Sequence, residues 1–415
     1  MKFLFLNTFV IFYSFFCNAQ ETEITPPYNI KTVSFVQNNQ NVIPIFQLGD
    51  VFQLEFDDLF GNEANYYYTI SLCDYNWKLS DLSKNEYLQG FDDQRITNYS
   101  NSFNTLQVYS HYKLQLPNQF TQCKVSGNYL LKILNEDKEI VFSRKFILYE
   151  NLTTVPIQVR RGRKSEDLLT KHNLDFSIKS TNITFQDPLK NIQVLLIQNG
   201  QLSNPIKNIK PQYTIANDLI YKYDSETQFW AGNEYLYFDN KDIRVPANYI
   251  SYVDSNQGVY NSHLYLNKDR SFNQYTFYPD INGNFVIRRL NAENNAVESD
   301  YSWVFFTLYT PKNLEQKDVY INGMFNNFAI NAENKMEFNA TKGVYEKALI
   351  IKQGFCNYQY IVTDKNGKID NENNIDGNFY QTENNYTILV YYRENGQRND
   401  RVIGKGDASS LEITN

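Results

Sequence analysis

"GNYLLKILNEDKEIVFSRKFILYE", residues 127–150, carries two runs of alternating side chains around one short polar turn, Asn135-Glu136-Asp137-Lys138. A period of two sends successive side chains to opposite faces of an extended chain, so 127–134 and 139–148 read as the arms of an antiparallel hairpin. The same period recurs outward in both directions. In "YYYTISLC" (66–73), Tyr66, Tyr68, Ile70 and Leu72 share one face. "IQVLLIQNG", "YLYFD", "NFVIRRL", "SWVFFTLYT" and "NYTILVYYR" continue the pattern. Only residues 80–90 and 164–171 suggest short helical turns. The expected fold class is all-β, built as tandem immunoglobulin-like or fibronectin-like β-sandwich domains.

Composition agrees with strands. Aromatic residues make up 16%, with 33 Tyr and 30 Phe against only 17 Gly and 11 Pro, the profile of a pleated, packed chain and not of a disordered one. A length of 415 residues exceeds one ordinary core and predicts two to four domains. The formal net charge of −7 argues against a nucleic-acid partner. The one dense basic cluster, Arg160, Arg161, Arg163 and Lys164, reads as a solvated strand end or linker.

Residues 1–19 read as a signal peptide. Lys2 precedes an apolar stretch at 3–16, and Cys17 and Ala19 supply small residues at the −3 and −1 positions of a cleavage site. Phe15 and Phe16 occupy positions where a lipidated cysteine needs small neighbours, which favours soluble export over a lipoprotein. No other stretch has the eighteen or so apolar residues of a spanning helix. Shifts in composition then place an N-terminal sandwich at 20–150, a second at 151–305, a third at 306–393, and an exposed polar tail at 394–415.

The search for chemistry assigns no catalytic, metal-binding or cofactor-binding residue. His111, His172 and His263 are the only histidines, and none has a partner nearby in sequence; a strand-surface place is expected for His111. No nucleophile elbow, phosphate loop, zinc-protease motif or calcium loop is present. The acid pairs Asp57-Asp58 and Asp92-Asp93 could serve as glycosidase carboxylates, but neighbouring acids at strand ends read first as solvated turn residues. Cys356 alternates with Tyr358, Tyr360 and Val362 on an apolar face and reads as a buried thiol; a Cys73–Cys123 disulfide stays open.

Two resemblances add to this reading. "DVYINGMFNNF" followed by "KGVYEKALIIKQGFCNYQYIVTD" resembles the early-set sandwich typified by glycogen-binding domains: Gly323, Phe325 and Asn326 match its turn, and Gly354, Tyr358 and Tyr360 its later strand. Phe328 stands where the sugar-stacking tryptophan would be, and Val344-Tyr345 lies near the second platform position, so the resemblance implies the fold more than the ligand. A longer ordered set, "PIFQLGDVFQLEFDDL", "YYYTISLCDYNW", "YLQGF", "ITNYSNSFNT", "YSHYKLQLPN", "SGNYLLKI", "SRKF", "GNEYLYFD", "YPDINGNFVIRR", "ESDYSWVFFTL" and "NDRVIG", resembles the plug proteins of the type IX secretion system of Bacteroidota. That resemblance implies a non-enzymatic periplasmic protein. It would close the inner mouth of the giant outer-membrane translocon barrel, SprA, when the barrel is not engaged with its shuttle partner. It implies a protein partner, with no nucleic acid, small-molecule substrate or cofactor. The chain ends "DASSLEITN", without the Lys- and Val-rich strand of exported cargo. The second reading is a periplasmic or secreted carbohydrate-binding protein using the C-terminal module, and a third a scaffold of another envelope complex. Tyr99, Tyr109, Tyr112, Trp230 and Tyr235 are candidate contact anchors, and "CDYNW" (73–77) and "GNEYLYFD" (232–239) candidate corners of the fold.

Overall fold

The computed structural model describes residues 20–256, 258–312 and 314–413; the expected signal peptide at 1–19 lies outside them. The hairpin at 127–150 forms as strands Gly127–Leu134 and Ile140–Tyr149, paired antiparallel with one bulge. Its two faces differ from those of an ordinary surface hairpin. Tyr129, Leu131, Ile133, Phe142, Phe146 and Leu148 face one core, whereas Leu130 and Ile147, on the opposite face, enter another. The sheet is therefore covered on both sides, which explains the density of apolar residues in this stretch.

The first sandwich packs the sheet of Gln40–Asn41, Ile30–Gln37, Phe52–Asp58, Ser110–Leu116 and Tyr99–Asn101 against that of Ile45–Gln47, Ile140–Tyr149, Gly127–Leu134, Tyr67–Cys73 and Gln94–Arg95. Its interior is aromatic. Phe46 stacks on Phe52 at 4.0 Å, and Phe56 lies face-on to Tyr112 at 5.1 Å and edge-on to Phe142 at 5.2 Å. Such ring pairs add about 0.5–1.5 kcal/mol each beyond the area they bury.

A second sandwich is built from Ile157–Arg161, Lys171–Ile178, Asp218–Tyr221, Tyr213–Ile215 and Gln228–Trp230 on one side, and Ile192–Gln198, Asn385–Tyr392 and Arg401–Ser409 on the other. The latter three-stranded sheet is again covered on both faces. Val194, Leu196, Ile388 and Val390 point into the second sandwich, and Leu195, Ile197, Leu389, Tyr391 and Val402 meet the first. "IQVLLIQ" and "NYTILVYY" lack a polar face for this reason. The first two sandwiches thus stack as four continuous β layers.

A third sandwich pairs Leu236–Asp239, Gly354–Asp364, Phe285–Ile287 and Lys317–Asn322 with a sheet of Ile250–Asn256, Val259–Leu264, Tyr301–Tyr309, Val344–Lys352 and Glu337–Asn339. Its core gathers Phe238, Val304, Phe306, Ile321, Cys356, Tyr358 and Tyr360. Gly354 marks its tightest approach: a Cβ there would lie 2.0 Å from the Val286 carbonyl oxygen. Gly354→Ala is expected to displace Phe285–Ile287 and cost about 1–3 kcal/mol, read as a lower urea midpoint.

Three sequence expectations are corrected. The boundary expected at 305/306 falls inside Tyr301–Tyr309. The third sandwich is inserted in the second: the chain leaves after Trp230 and returns at Asn385. The polar tail expected at 394–415 contains the strand Arg401–Ser409, whose Val402 and Ile403 are fully buried. Its alternation is masked by Gly404 and Gly406, where the backbone passes so close to Thr153 and Val155 that Cβ atoms would lie 1.9 Å from Thr153 Oγ1 and 2.4 Å from the Val155 carbonyl oxygen. Of the two expected helical turns, Lys84–Tyr87 is a short helix with a Ser83–Glu86 capping box, and 164–171 is a series of turns.

Candidate functional site

The residues singled out for chemistry come together where the sandwiches meet. Glu55 and Asp57 project from one face of Phe52–Asp58, directly across from Lys113 and His111 on Ser110–Leu116. This row lies on the outer face of the first sandwich, as the sequence suggested for His111, but the third sandwich covers it. His111 Nδ1 lies 2.6 Å from Asp57 Oδ1 and its Nε2 3.5 Å from Glu55. The other Asp57 oxygen accepts hydrogen bonds from Lys352 Nζ and the Tyr301 hydroxyl, both at 2.6 Å. Lys352 also donates to the Ala296 carbonyl and sits 4.2 Å from the centre of the Tyr109 ring. Asp57, His111, Tyr109, Tyr301 and Lys352 are all buried.

Electrostatics follow from this packing. Burial opposes the Asp57 charge, but Lys352 and His111 outweigh it and hold the carboxyl below its usual range. Burial likewise opposes protonation of His111, which its bond to Asp57 overcomes, leaving the imidazole above its usual range. Burial lowers Lys352 against the pull of Asp57. An Asp–His pair resembles a general base with its orienting acid. Here, however, every polar atom of Asp57 is committed to another residue of the chain, and the group lies under two sandwiches. It joins the sandwiches, and of its members Lys352 also lines a cavity between the first and third of them.

The remaining chemical candidates are also structural. Asp58, read from sequence as a solvated turn residue, is buried and accepts from Asn29, Tyr66 and the Phe60 amide; Asp92 is buried and binds Lys84 and the Ile70 amide. Only Asp93 of these four is exposed, paired with Lys138. His172 is fully buried, its ring nitrogens 2.7 Å from the Tyr386 hydroxyl and the Tyr380 carbonyl, and burial pushes it down to about 4. His263 is stacked between Tyr252 and Phe305 at 4.1 and 4.4 Å. Cys73, Cys123 and Cys356 are free thiols, and burial raises Cys73 and Cys123 to about 12. The basic cluster is partly paired within the fold: Arg160 and Arg163 share Asp175, Arg163 also pairs with Asp224, and Arg161 lies over the Tyr380 ring.

"CDYNW" is a corner between sandwiches. Tyr75 donates its hydroxyl to the Val194 carbonyl at 2.8 Å, its amide bonds Asp400, and Trp77 is buried beside it. "GNEYLYFD" carries the chain from the second sandwich to the third. There Glu234 receives the Tyr275 hydroxyl and the Glu383 amide, and burial raises it to about 7. The aromatic anchors expected for a partner are mostly interior: Tyr109, Tyr112 and Tyr235 are buried, and Tyr99 and Trp230 half-buried. The exposed rings lie elsewhere, with Phe272, Phe91 and Tyr28 the most open. The sequence signal that missed them is position: each sits in a loop outside any alternating run. At the glycogen-domain-like turn, Phe328 is buried against Gly283, and Tyr358 and Tyr360 are core residues. Tyr358 and Tyr360 present no free ring face for a sugar, and Phe328 lines a cavity between the sandwiches and does not stand on the outer surface.

A stack of β-sandwiches joined by buried charges and a shared apolar layer defines a structural body. Residues 30–150 match the family described as the type 9 secretion system plug protein 1st domain. The first sandwich thus belongs to the family of type 9 secretion system plug protein first domains. A crystal structure of a hypothetical protein from Parabacteroides merdae ATCC 43184 is 30% identical over 94% of this chain and 100% of its own, with a TM-score of 0.89. Native alpha-2-macroglobulin of E. coli (8% identity, 93% of this chain and 27% of that one) and extracellular domains 3–5 of Drosophila OTK (10%, 94% and 98%) have TM-scores of only 0.18 and 0.15 and carry no argument. No curated protein matches the sequence. Among the described residues, no helix is long and apolar enough to cross a membrane.

Proposed function

We propose that this protein is the plug of the type IX translocon, closing the periplasmic end of the SprA barrel when the shuttle partner is absent. The observation that carries this reading is the family match over the first sandwich. The architecture supports it in a physical sense. A stopper for a wide pore must resist deformation, and here the first sandwich is fixed to the second through a two-sided apolar layer and to the third through the Asp57 cluster. The action is non-covalent and non-enzymatic. The protein sits in the periplasm, held at the outer membrane by its partner, through an interface of a few aromatic anchors within a polar rim. Purification of a tagged copy from native outer membranes in mild detergent tests this. The giant barrel is expected to co-purify, and in greater amount from cells lacking the shuttle. Recovery of the protein alone, together with a translocon that stays sealed in cells lacking it, would rule the reading out.

A further inference from the structure

The strand Ile140–Tyr149 holds an anomaly. Arg144 lies on its inward face, between the fully buried Phe142 and Phe146. The residue is only 8% exposed, yet among the described residues it donates one hydrogen bond, from Nη1 to the neighbouring Ser143 carbonyl at 3.1 Å, and its guanidinium lies 5.8 Å from the centre of the Phe142 ring. Its Nε is buried without a partner. A guanidinium taken out of water is costly unless an anion faces it.

Arg144 lines a cavity of about 630 Å³ where the first and third sandwiches meet, within the 300–1,000 Å³ or so of small-molecule sites. Much of the wall is apolar, formed by Ile30, Phe285, Ile287, Phe325 and Leu349. Two carboxylates line the cavity and both are engaged elsewhere. Glu23 accepts from the Lys145 amide and the Asn327 side chain, each at 2.6 Å, and Glu333 pairs with Lys31. Lys368 lines it as well. The site therefore sets an apolar wall beside a buried guanidinium that is underpaired among the described residues, while Lys31 and Lys352, which also line it, are held by Glu333 and Asp57. Burial depresses the guanidinium against the opposing effect of Glu23, in keeping with a cation short of counter-charge.

We propose that this cavity binds a small amphiphile with one carboxylate head and an apolar body, the head held by Arg144 and the body by the phenylalanine wall. The inference is independent of the plug reading, and a failed co-purification would leave it standing. Calorimetric titration of the full chain with decanoate and with decan-1-ol tests it, because the two share a tail and differ in charge. Decanoate is expected to bind at least about tenfold more tightly, as a hydrogen-bonded charge pair contributes roughly 1.5–3 kcal/mol. Arg144→Gln should abolish that preference, Arg144→Lys should retain part of it, and Phe325→Trp should weaken both ligands by filling the wall. Circular dichroism confirms that each variant is folded. If Arg144→Gln does not fold, the Lys and Trp variants still decide. Equal affinity for the two probes, binding of neither, or a preference that ignores both Arg144→Lys and Phe325→Trp would overturn the proposal.

Discussion

Replacing Asp57 by alanine is expected to destabilise the protein by about 3–5 kcal/mol, the cost of removing one partner from a buried ion cluster. The substitution strands Lys352, which keeps only the Ala296 carbonyl and an aromatic face, and removes the bond that orients His111. The damage is also directional, because Asp57 belongs to the first sandwich while Lys352 and Tyr301 belong to the third. Trp77, Trp230 and Trp303 are the only tryptophans, and they report on different parts of the stack. Variants retaining one tryptophan each, unfolded in urea, should give a single transition in the parent. In Asp57→Ala the Trp303 signal should separate from that of Trp77, a departure from two-state behaviour. A double-mutant cycle with Lys352→Met should return a coupling of about 1–3 kcal/mol. Loss of less than 1 kcal/mol or so, with coincident transitions, would mean the cluster does not join the sandwiches.

Acid should act on the fold through His172, a contribution that its substitution isolates. Its neutral ring accepts from the Tyr386 hydroxyl and donates to the Tyr380 carbonyl, so both nitrogens are satisfied without a charge. Burial lowers it to about 4 in the folded protein, whereas an unfolded histidine titrates near 6.5. Between these values the unfolded chain binds a proton that the native chain refuses. The His172 contribution to stability is therefore complete above about pH 6.5 and falls as pH drops toward 4, by up to roughly 3 kcal/mol, while Glu234, raised to about 7 in the fold, acts in the opposite sense over the same window. His172→Gln should be less stable at pH 7.5 yet lose less on acidification, measured as the change in urea midpoint between pH 7.5 and 4.5. An identical pH dependence in the two proteins would show that some other group drives acid unfolding.

Much of the fold was legible because period-two runs broken by polar turns mark strands, even in a sheet that the fold later covers on both sides. The hairpin at 127–150 and the strand Tyr67–Cys73 were read on that basis. Legibility failed for long-range pairing and where the backbone itself is the contact. Ile192–Gln198 and Asn385–Tyr392 were seen as strands, but nothing local said that they pair with each other across an inserted sandwich. Arg401–Ser409 was hidden by its two glycines. The Asp57 cluster was misread for a related reason. Adjacent acids at a strand end are usually solvated, and the residues that bury these ones, Tyr301 and Lys352, are far along the chain. Arg144 was visible as a charge on an apolar face, a signal that alternation alone could have flagged.

The double crossing between the second and third sandwiches has a kinetic consequence. Ile192–Gln198 has no neighbour in its sheet until Asn385–Tyr392 arrives, and that strand in turn waits for Arg401–Ser409. During synthesis the first sandwich can close early and the inserted one can close on its own, but the middle one is completed last. Until then the outer face of Gly127–Leu134 and Ile140–Tyr149, with Leu130 and Ile147, is uncovered and sticky. Closing so long a loop makes for slow assembly and a lasting exposure to misassociation. The nascent chain thus has reason to depend on a holding chaperone until residue 409 is in place.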